Sequence, residues 1–161
     1  MAIVDIMNLR LVSVEVDDTV ATAIERMIEA NVGAVAVLEG SRLAGIFTER
    51  DVLRLAAAGT PFGELDVSDV MTTNLVTVSP EVDILAAAHL MAERKIRHLP
   101  VLEGENLLGV VGIRDILGVL TERLWREHDV ETRETVHELL ARPASPRSAV
   151  STTGGRKEAG R

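Results

Sequence analysis

The sequence contains no cysteine and very few aromatic residues. Without cysteine there can be no disulfide framework, no thiolate metal site and no thiol nucleophile. Aromatic side chains make up 2% of the chain, as one tryptophan and two phenylalanines, so we expect no aromatic stacking platform for single-stranded nucleic acid. Hydrophobic residues nevertheless reach 47%, and aliphatic and methionine side chains must therefore fill the interior.

Long hydrophobic runs are also missing. No uninterrupted apolar stretch, glycine included, is longer than residues 32–38, which is far shorter than the ~20 residues that a membrane-spanning helix needs. Residues 1–5 lack a basic region followed by an apolar core, so we expect no secretion signal and no membrane association. This pattern is typical of a cytoplasmic protein.

Positive charge is scarce except near the C-terminal end of the sequence. The net charge is -8, but residues 142–161 hold five basic side chains and one acidic side chain, so residues 1–141 carry -12. An acidic body repels nucleic acid, and only the charge of residues 142–161 favours nucleic-acid binding. Proline, serine, threonine, glycine and arginine dominate this segment, a composition that predicts a disordered tail.

The sequence contains a tandem repeat. Residues 5–55 align with residues 69–119 at an offset of 64 without a gap, and 17 of the 51 aligned positions are identical. A unit of about 50 residues buries too little surface to be stable by itself. We therefore predict that the two copies pack sheet against sheet as one pseudo-symmetric α+β body.

Each copy predicts the order strand, helix, strand, strand, helix. In the first copy a strand near Val14 precedes a helix that is capped within residues 17–19 and ends near Ala30. A hairpin of residues 35–38 and 43–47 follows, and a closing helix begins at Glu49. The second copy repeats this order, and residues 59–63 form the linker between the copies.

The start of each closing helix places an acid where a ligand could bind. In the first copy Thr48 and Asp51 have the spacing of a capping box, worth roughly 1 kcal/mol. In the second copy Gly112 replaces the threonine while Asp115 remains, and this acid can still interact with the helix dipole. The alternative is a ligand site, since a carboxylate can bind both hydroxyls of a ribose and Arg50 with free backbone amides suits a phosphate.

Three motifs and the repeat itself identify a family. The motifs are residues 67–71 before the second unit, residues 97–101 at its hairpin, and the Gly-x-x-Thr-x-x-Asp pattern that ends at Asp51. The duplicated unit resembles a tandem pair of cystathionine beta-synthase (CBS) domains, also called a Bateman module. The resemblance covers about residues 3–122 and implies CBS domains at 3–60 and 67–122. A charged helical extension at 123–141 and the basic tail at 142–161 would follow.

The resemblance implies two clefts between the domains that bind adenosine-type ligands such as AMP, ADP, ATP or S-adenosylmethionine. The expected main cleft contains Thr48, Arg50, Asp51, Met71, Leu75, Val76, Ile96, Arg97 and His98. The expected second cleft contains Met7, Leu11, Val12, Val32, Gly33, Ala34, Gly112, Arg114 and Asp115.

The two clefts are expected to differ in function. In the main cleft Asp51 would bind the ribose, Thr48 would support the ribose or phosphate, Ile96 would contact the adenine, and arginines would meet the phosphate. The second cleft lacks the hydroxyl at Gly112 and has residues 33–34 where the other copy has Arg97 and His98. We therefore expect an asymmetric module whose working site is the Asp51 cleft.

No set of residues indicates catalysis. The four histidines, His89, His98, His128 and His137, lack metal-ligand spacing, and no serine lies in a nucleophile elbow. We expect a non-enzymatic regulatory module that needs no cofactor or metal and signals to an unknown protein partner when an adenosine-type ligand favours one arrangement of its halves. The alternative is a structural or interaction module with empty clefts. The resemblance also implies a homodimer formed through the helices.

Overall fold

The computed structural model describes residues 1–7 and 11–127, which form a mixed α+β fold. In chain order the strands and helices are β1 Ser13–Glu15, α1 Val20–Ala30, β2 Ala34–Glu39, β3 Arg42–Thr48, α2 Glu49–Ala57, α3 Ile84–Arg94, β4 His98–Glu103, β5 Asn106–Gly112 and α4 Ile113–Glu127. Short 3₁₀ turns at Ile3–Asp5 and Val67–Asp69 precede the two copies. The α+β fold class predicted from the repeat is confirmed.

The chain divides into two compact units, Met1–Arg123 and Leu124–Arg161. The architecture that follows is that of the first unit. Of the predicted helical extension, residues 123–127 lie in α4. The rest of the extension and the basic tail lie outside the described residues, as do His128 and His137.

The first copy contains a three-stranded sheet with the order β1-β2-β3. Strand β1 pairs in parallel with β2, and β2 forms an antiparallel hairpin with β3. Helix α1 connects β1 to β2 and is capped by Thr19, whose hydroxyl accepts a hydrogen bond from the Thr22 backbone N–H at 3.2 Å. This cap stabilises the helix start by about 1 kcal/mol, and the cap predicted within residues 17–19 is found at Thr19.

The first strand of the second copy shortens to a single bridge between Val78 and Val101, beside the two-stranded β4-β5 sheet. Two prolines explain the difference. In the first copy the Ala36 N–H donates to Val12 and the Val16 N–H donates to Leu38. The second copy has Pro100 and Pro80 at the positions of Ala36 and Val16, and proline has no N–H to donate.

The segments before each copy cross over to the other copy. Ile3 is fully buried in the hydrophobic cluster of the second copy, and its N–H donates to the Val82 carbonyl oxygen at 2.9 Å. Val67 is fully buried in the cluster of the first copy, and its N–H donates to the Asp18 carbonyl oxygen at 2.8 Å. This exchange ties the two copies together, and β5 also contacts β2 and β3.

Among residues 1–7 and 11–127, the structure has no helix that is both long and apolar enough to cross a membrane.

Candidate functional site

Both acids at the closing helices reach back to the residue that precedes the helix. Asp51 Oδ2 accepts hydrogen bonds from the Thr48 N–H at 2.9 Å and from the Thr48 hydroxyl at 2.7 Å. Asp115 Oδ2 accepts a hydrogen bond from the Gly112 N–H at 2.7 Å. Each acid therefore caps its helix with one carboxylate oxygen, as the capping interpretation predicts.

The two acids differ in their access to a ligand. Asp51 is only 8% exposed, and its Oδ1 lies 3.3 Å from the guanidinium of Arg54. Both of its oxygens thus have partners within its own helix turn. Asp115 is exposed and lies on the wall of a cavity. The second copy therefore presents the more accessible carboxylate.

The cavity has a volume of about 190 Å³ and lies where the two copies meet. Backbone and side chains from both copies form its wall. The lining residues are Val12, Asn31, Val32, Gly33, Ala34, Glu49, Arg97, His98, Val110, Gly112, Ile113, Arg114 and Asp115. Aliphatic groups and a small number of charged groups thus share one concave surface, the usual composition of a small-molecule site.

The imidazole of His98 lies between a glycine of each copy. A Cβ atom added to Gly33 would lie 3.2 Å from His98 Nε2 and 3.2 Å from the Glu49 carboxylate. A Cβ atom added to Gly112 would lie 3.4 Å from His98 Cδ2 and 3.2 Å from Asp115 Oδ2. The absence of side chains at the two glycines therefore leaves open space. The imidazole of His98 and the carboxylates of Glu49 and Asp115 line this space.

Burial is the main influence on His98, and it lowers the pKa of the imidazole below 6.5 because a buried cation loses its hydration. The neighbouring guanidinium groups of Arg97 and Arg114 also lower this pKa, whereas Glu49 and Asp115 raise it. At neutral pH the imidazole is therefore uncharged. The two arginines and the two carboxylates then balance in formal charge.

Seven of the nine residues predicted for the second cleft line this cavity: Val12, Val32, Gly33, Ala34, Gly112, Arg114 and Asp115. The other two lie nearby in the chain. Met7 is 7% exposed in the hydrophobic cluster of the second copy, and Leu11 is half-buried.

The residues predicted for the main cleft lie in different parts of the structure. Arg97 and His98, which were expected in the Asp51 cleft, line the cavity of the second cleft. The reason is the pairing of β4 with β5, which sets His98 opposite Gly112. Arg50 is exposed, and its guanidinium donates to the Lys95 carbonyl oxygen at 3.3 Å.

The hydrophobic residues predicted for the main cleft lie in packing positions. Met71 packs against the cluster of the first copy and lies over Gly45 in β3. Val76 and Ile96 pack against the cluster of the second copy, and Leu75 is half-buried. The wall of the cavity contains none of these residues.

Sequence reasoning missed four lining residues: Asn31, Glu49, Val110 and Ile113. Glu49 is the most consequential of them, because its carboxylate adds a negative charge beside His98. The sequence indicates this residue by its position, because Glu49 directly follows Thr48 at the start of α2. Within the described ranges, no group of three or more histidine, cysteine, aspartate or glutamate residues could hold a metal ion.

Comparison with known protein families shows to which family the chain belongs. The family model for the CBS domain matches the chain twice, at residues 3–58 and 67–122. The chain belongs to the CBS-domain family. Both copies of the repeat are thus CBS domains, and the resemblance read from the sequence is confirmed.

Two relatives named as CBS domain-containing proteins are similar to this chain. The CBS domain-containing protein YhcV of Bacillus subtilis is 38% identical over 113 residues, which are 70% of this chain and 80% of YhcV. The mitochondrial CBS domain-containing protein CBSX3 of Arabidopsis thaliana is 42% identical over 107 residues, 63% of this chain. The match spans about half of the Arabidopsis protein, 52% of its length.

Solved structures also match. A CBS-domain-containing protein from Agrobacterium tumefaciens superimposes with a TM-score of 0.69 at 27% identity and covers 74% of this chain and 98% of its own. A hexameric CBS-CP12 protein from bloom-forming cyanobacteria superimposes with a TM-score of 0.68 at 32% identity, covering 73% of this chain and 70% of its own. The chain is thus a CBS-domain module of the kind found in regulatory proteins.

Proposed function

We propose that this CBS module is a non-catalytic sensor that binds one adenosine-type ligand, AMP, ADP, ATP or S-adenosylmethionine, in the cavity between its two domains. The observation that carries the proposal is the shared wall of that cavity. Asp115, Arg97 and Arg114 surround it together with aliphatic side chains. An acid for the ribose and bases for a phosphate thus lie beside an apolar surface for the adenine.

Each lining group has a role in this proposal. Asp115 accepts hydrogen bonds from the ribose hydroxyls with the carboxylate oxygen that does not cap α4. Arg97 and Arg114 bind the phosphate or the corresponding anionic group. The apolar side chains that contact the adenine are Val12, Val32, Val110 and Ile113.

The proposed site is the second of the two clefts expected from the sequence. Residues 33–34 of this cleft provide no cation for a phosphate. Arg97 lines the same cavity from the opposite domain, so a cation comes from the other copy. Because the wall combines both domains, a bound ligand favours the arrangement that brings them together, and a partner protein would sense that arrangement.

Calorimetric titration with AMP, ADP, ATP and S-adenosylmethionine tests this proposal. We expect one binding site, and we expect Asp115→Asn to weaken binding by about tenfold or more, because a hydrogen bond from the ribose to a charged acceptor is lost. Asparagine retains one oxygen that can accept from the Gly112 N–H, so the helix cap survives.

Asp51→Asn is the matched control, since Asp51 occupies the same position in the first copy. We expect it to lower the melting temperature without changing the ligand affinity at the Asp115 cavity. Loss of binding in Asp51→Asn with full binding in Asp115→Asn would place the site in the Asp51 cleft. No binding of any of the four ligands would favour the structural-module alternative.

We further propose that the chain forms a homodimer, in which exposed side chains of the helices contact a second copy of the chain. Among the described residues of the unit Met1–Arg123, four large aliphatic side chains on the helices are more than half exposed: Ile28, Leu53, Leu85 and Leu117. Ile28 and Leu53 lie on α1 and α2 of the first copy, where they border a groove of about 550 Å³. Exposed apolar side chains that border a groove are typical of an interface, and the cyanobacterial CBS-CP12 protein is hexameric.

Leu53→Glu tests the homodimer. A symmetric interface contains each residue twice, so two buried carboxylates are expected to weaken dimerisation by about thirtyfold or more. Sedimentation velocity over a range of protein concentrations measures the effect. The control is Val4→Glu, an exposed apolar position outside α1–α4, which should leave the dimer intact. A monomer in the unaltered protein, or equal dimerisation of both variants, would contradict the proposal.

A further inference from the structure

His98 is placed to contact a ligand in the cavity directly. Its Nε2 faces the open positions left by Gly33 and Gly112, at 3.2 Å and 3.8 Å from where their Cβ atoms would lie. Unlike the arginines of the cavity, an imidazole can change its charge near neutral pH. The ligand therefore meets a side chain whose charge depends on pH.

Charged groups on α2, on α4 and in the residue before β4 influence the charge of His98. Glu49 at the start of α2 and Asp115 in the first turn of α4 favour the imidazolium form, whereas Arg97 beside it and Arg114 in α4 oppose that form. In the empty cavity burial outweighs the two carboxylates, and the pKa of His98 lies below 6.5. A bound anion would add a further negative group and shift the balance toward the imidazolium.

We propose that His98 determines specificity, making the cavity prefer anionic over uncharged adenosine ligands increasingly as the pH falls. This inference rests on the proposed function. When the anionic group of the ligand binds beside Nε2, the imidazole takes up one proton from solvent and donates a charge-assisted hydrogen bond. An uncharged ligand such as adenosine provides no anion and leaves the imidazole neutral.

The sign of the pH dependence follows from the change in pKa. The anion raises the pKa of His98 in the complex above its value in the empty cavity, so binding takes up a proton at every pH between the two values. Affinity for the anionic ligand therefore increases as the pH falls through that interval, by at most about tenfold for each pH unit and each proton. Affinity for adenosine stays constant over the same interval.

Calorimetry with AMP and with adenosine tests the inference on the full chain. We expect the ratio of the two affinities to rise about fivefold in favour of AMP from about pH 8 to about pH 6.5. Titrations of AMP in two buffers of different ionisation enthalpy should show proton uptake. His98→Gln, which keeps a polar group near the position of Nε2, should lose the part of the uptake that exceeds the phosphate's own second ionisation, near pH 6.

His89→Gln is the control, because His89 is an exposed histidine on α3 outside the cavity. It should show the same proton uptake as the unaltered protein. An affinity ratio that is constant with pH, or equal proton uptake in His98→Gln, would overturn the inference while adenosine binding still supported the proposed function. If neither AMP nor adenosine bound, the proposed function and this inference would fail together.

Discussion

Gly33→Arg is expected to weaken AMP binding by about a hundredfold or more while the protein stays folded. A Cβ atom at this position would point into the space between Glu49 and His98, 3.2 Å from each. A guanidinium attached there would occupy the cavity of about 190 Å³ and could pair with the Glu49 carboxylate. Ligand and arginine would then compete for the same volume.

The fold should tolerate this substitution. The backbone of Gly33 is outside the left-handed region, and the second copy has an arginine, Arg97, at the equivalent position. The nearby atoms are the ends of flexible side chains, so we expect the free energy of unfolding to change by no more than about 1 kcal/mol.

Gly63→Arg is the matched control for Gly33→Arg, because Gly63 lies in the linker with no described atom within 4 Å of its Cβ position. It should bind AMP with unaltered affinity. Thermal unfolding followed by circular dichroism confirms that both variants are folded, and calorimetry measures binding. If Gly33→Arg bound AMP as tightly as the control does, the ligand would have to lie outside this cavity.

Gly45→Ala is expected to be the most damaging conservative substitution in the core, costing about 2–4 kcal/mol of stability. Its added methyl group would collide with Met71 Sδ, and it would lie 2.8 Å from Met71 Cγ and 2.9 Å from the Thr72 carbonyl oxygen. Methionine can move, but the Thr72 backbone cannot easily do so. It exchanges two hydrogen bonds with Ile46, at 3.0 Å and 2.9 Å.

The substitution should therefore force β3 apart from the segment that leads into the second copy. We expect the melting temperature to fall by roughly 10 °C, measured by calorimetry or circular dichroism. The control is Gly118→Ala in α4, where no described atom outside the local helix backbone lies within 4 Å of the Cβ position. Alanine there should stabilise the helix by roughly 0.5–1 kcal/mol. Equal melting temperatures for the two variants would show that the contact over Gly45 is not tight.

Local patterns predicted most of the secondary structure. Apolar periodicity predicted the helix that ends near Ala30 and the hairpin of β2 and β3, and the sequence placed the helix cap within residues 17–19, because these features depend on neighbours within a few residues. The repeat also predicted a first strand in the second copy, where the structure has a single bridge. The strand is lost partly because Pro100 in the neighbouring strand has no N–H to donate. Periodicity along one segment carries no information about the hydrogen-bond donors of the neighbouring strand.

The sequence by itself determined the duplication, the α+β fold and the CBS family, since the repeat and its motifs are written in the order of residues. Only the tertiary structure decided how the candidate site is assembled. Residues of both copies meet in one cavity, and Arg97 and His98 line the cleft of Asp115 rather than that of Asp51. The physical reason is that Asp51 is buried and satisfied by Thr48 and Arg54, whereas strand pairing sets His98 opposite Gly112. Such partners are far apart along the chain, and only packing brings them together.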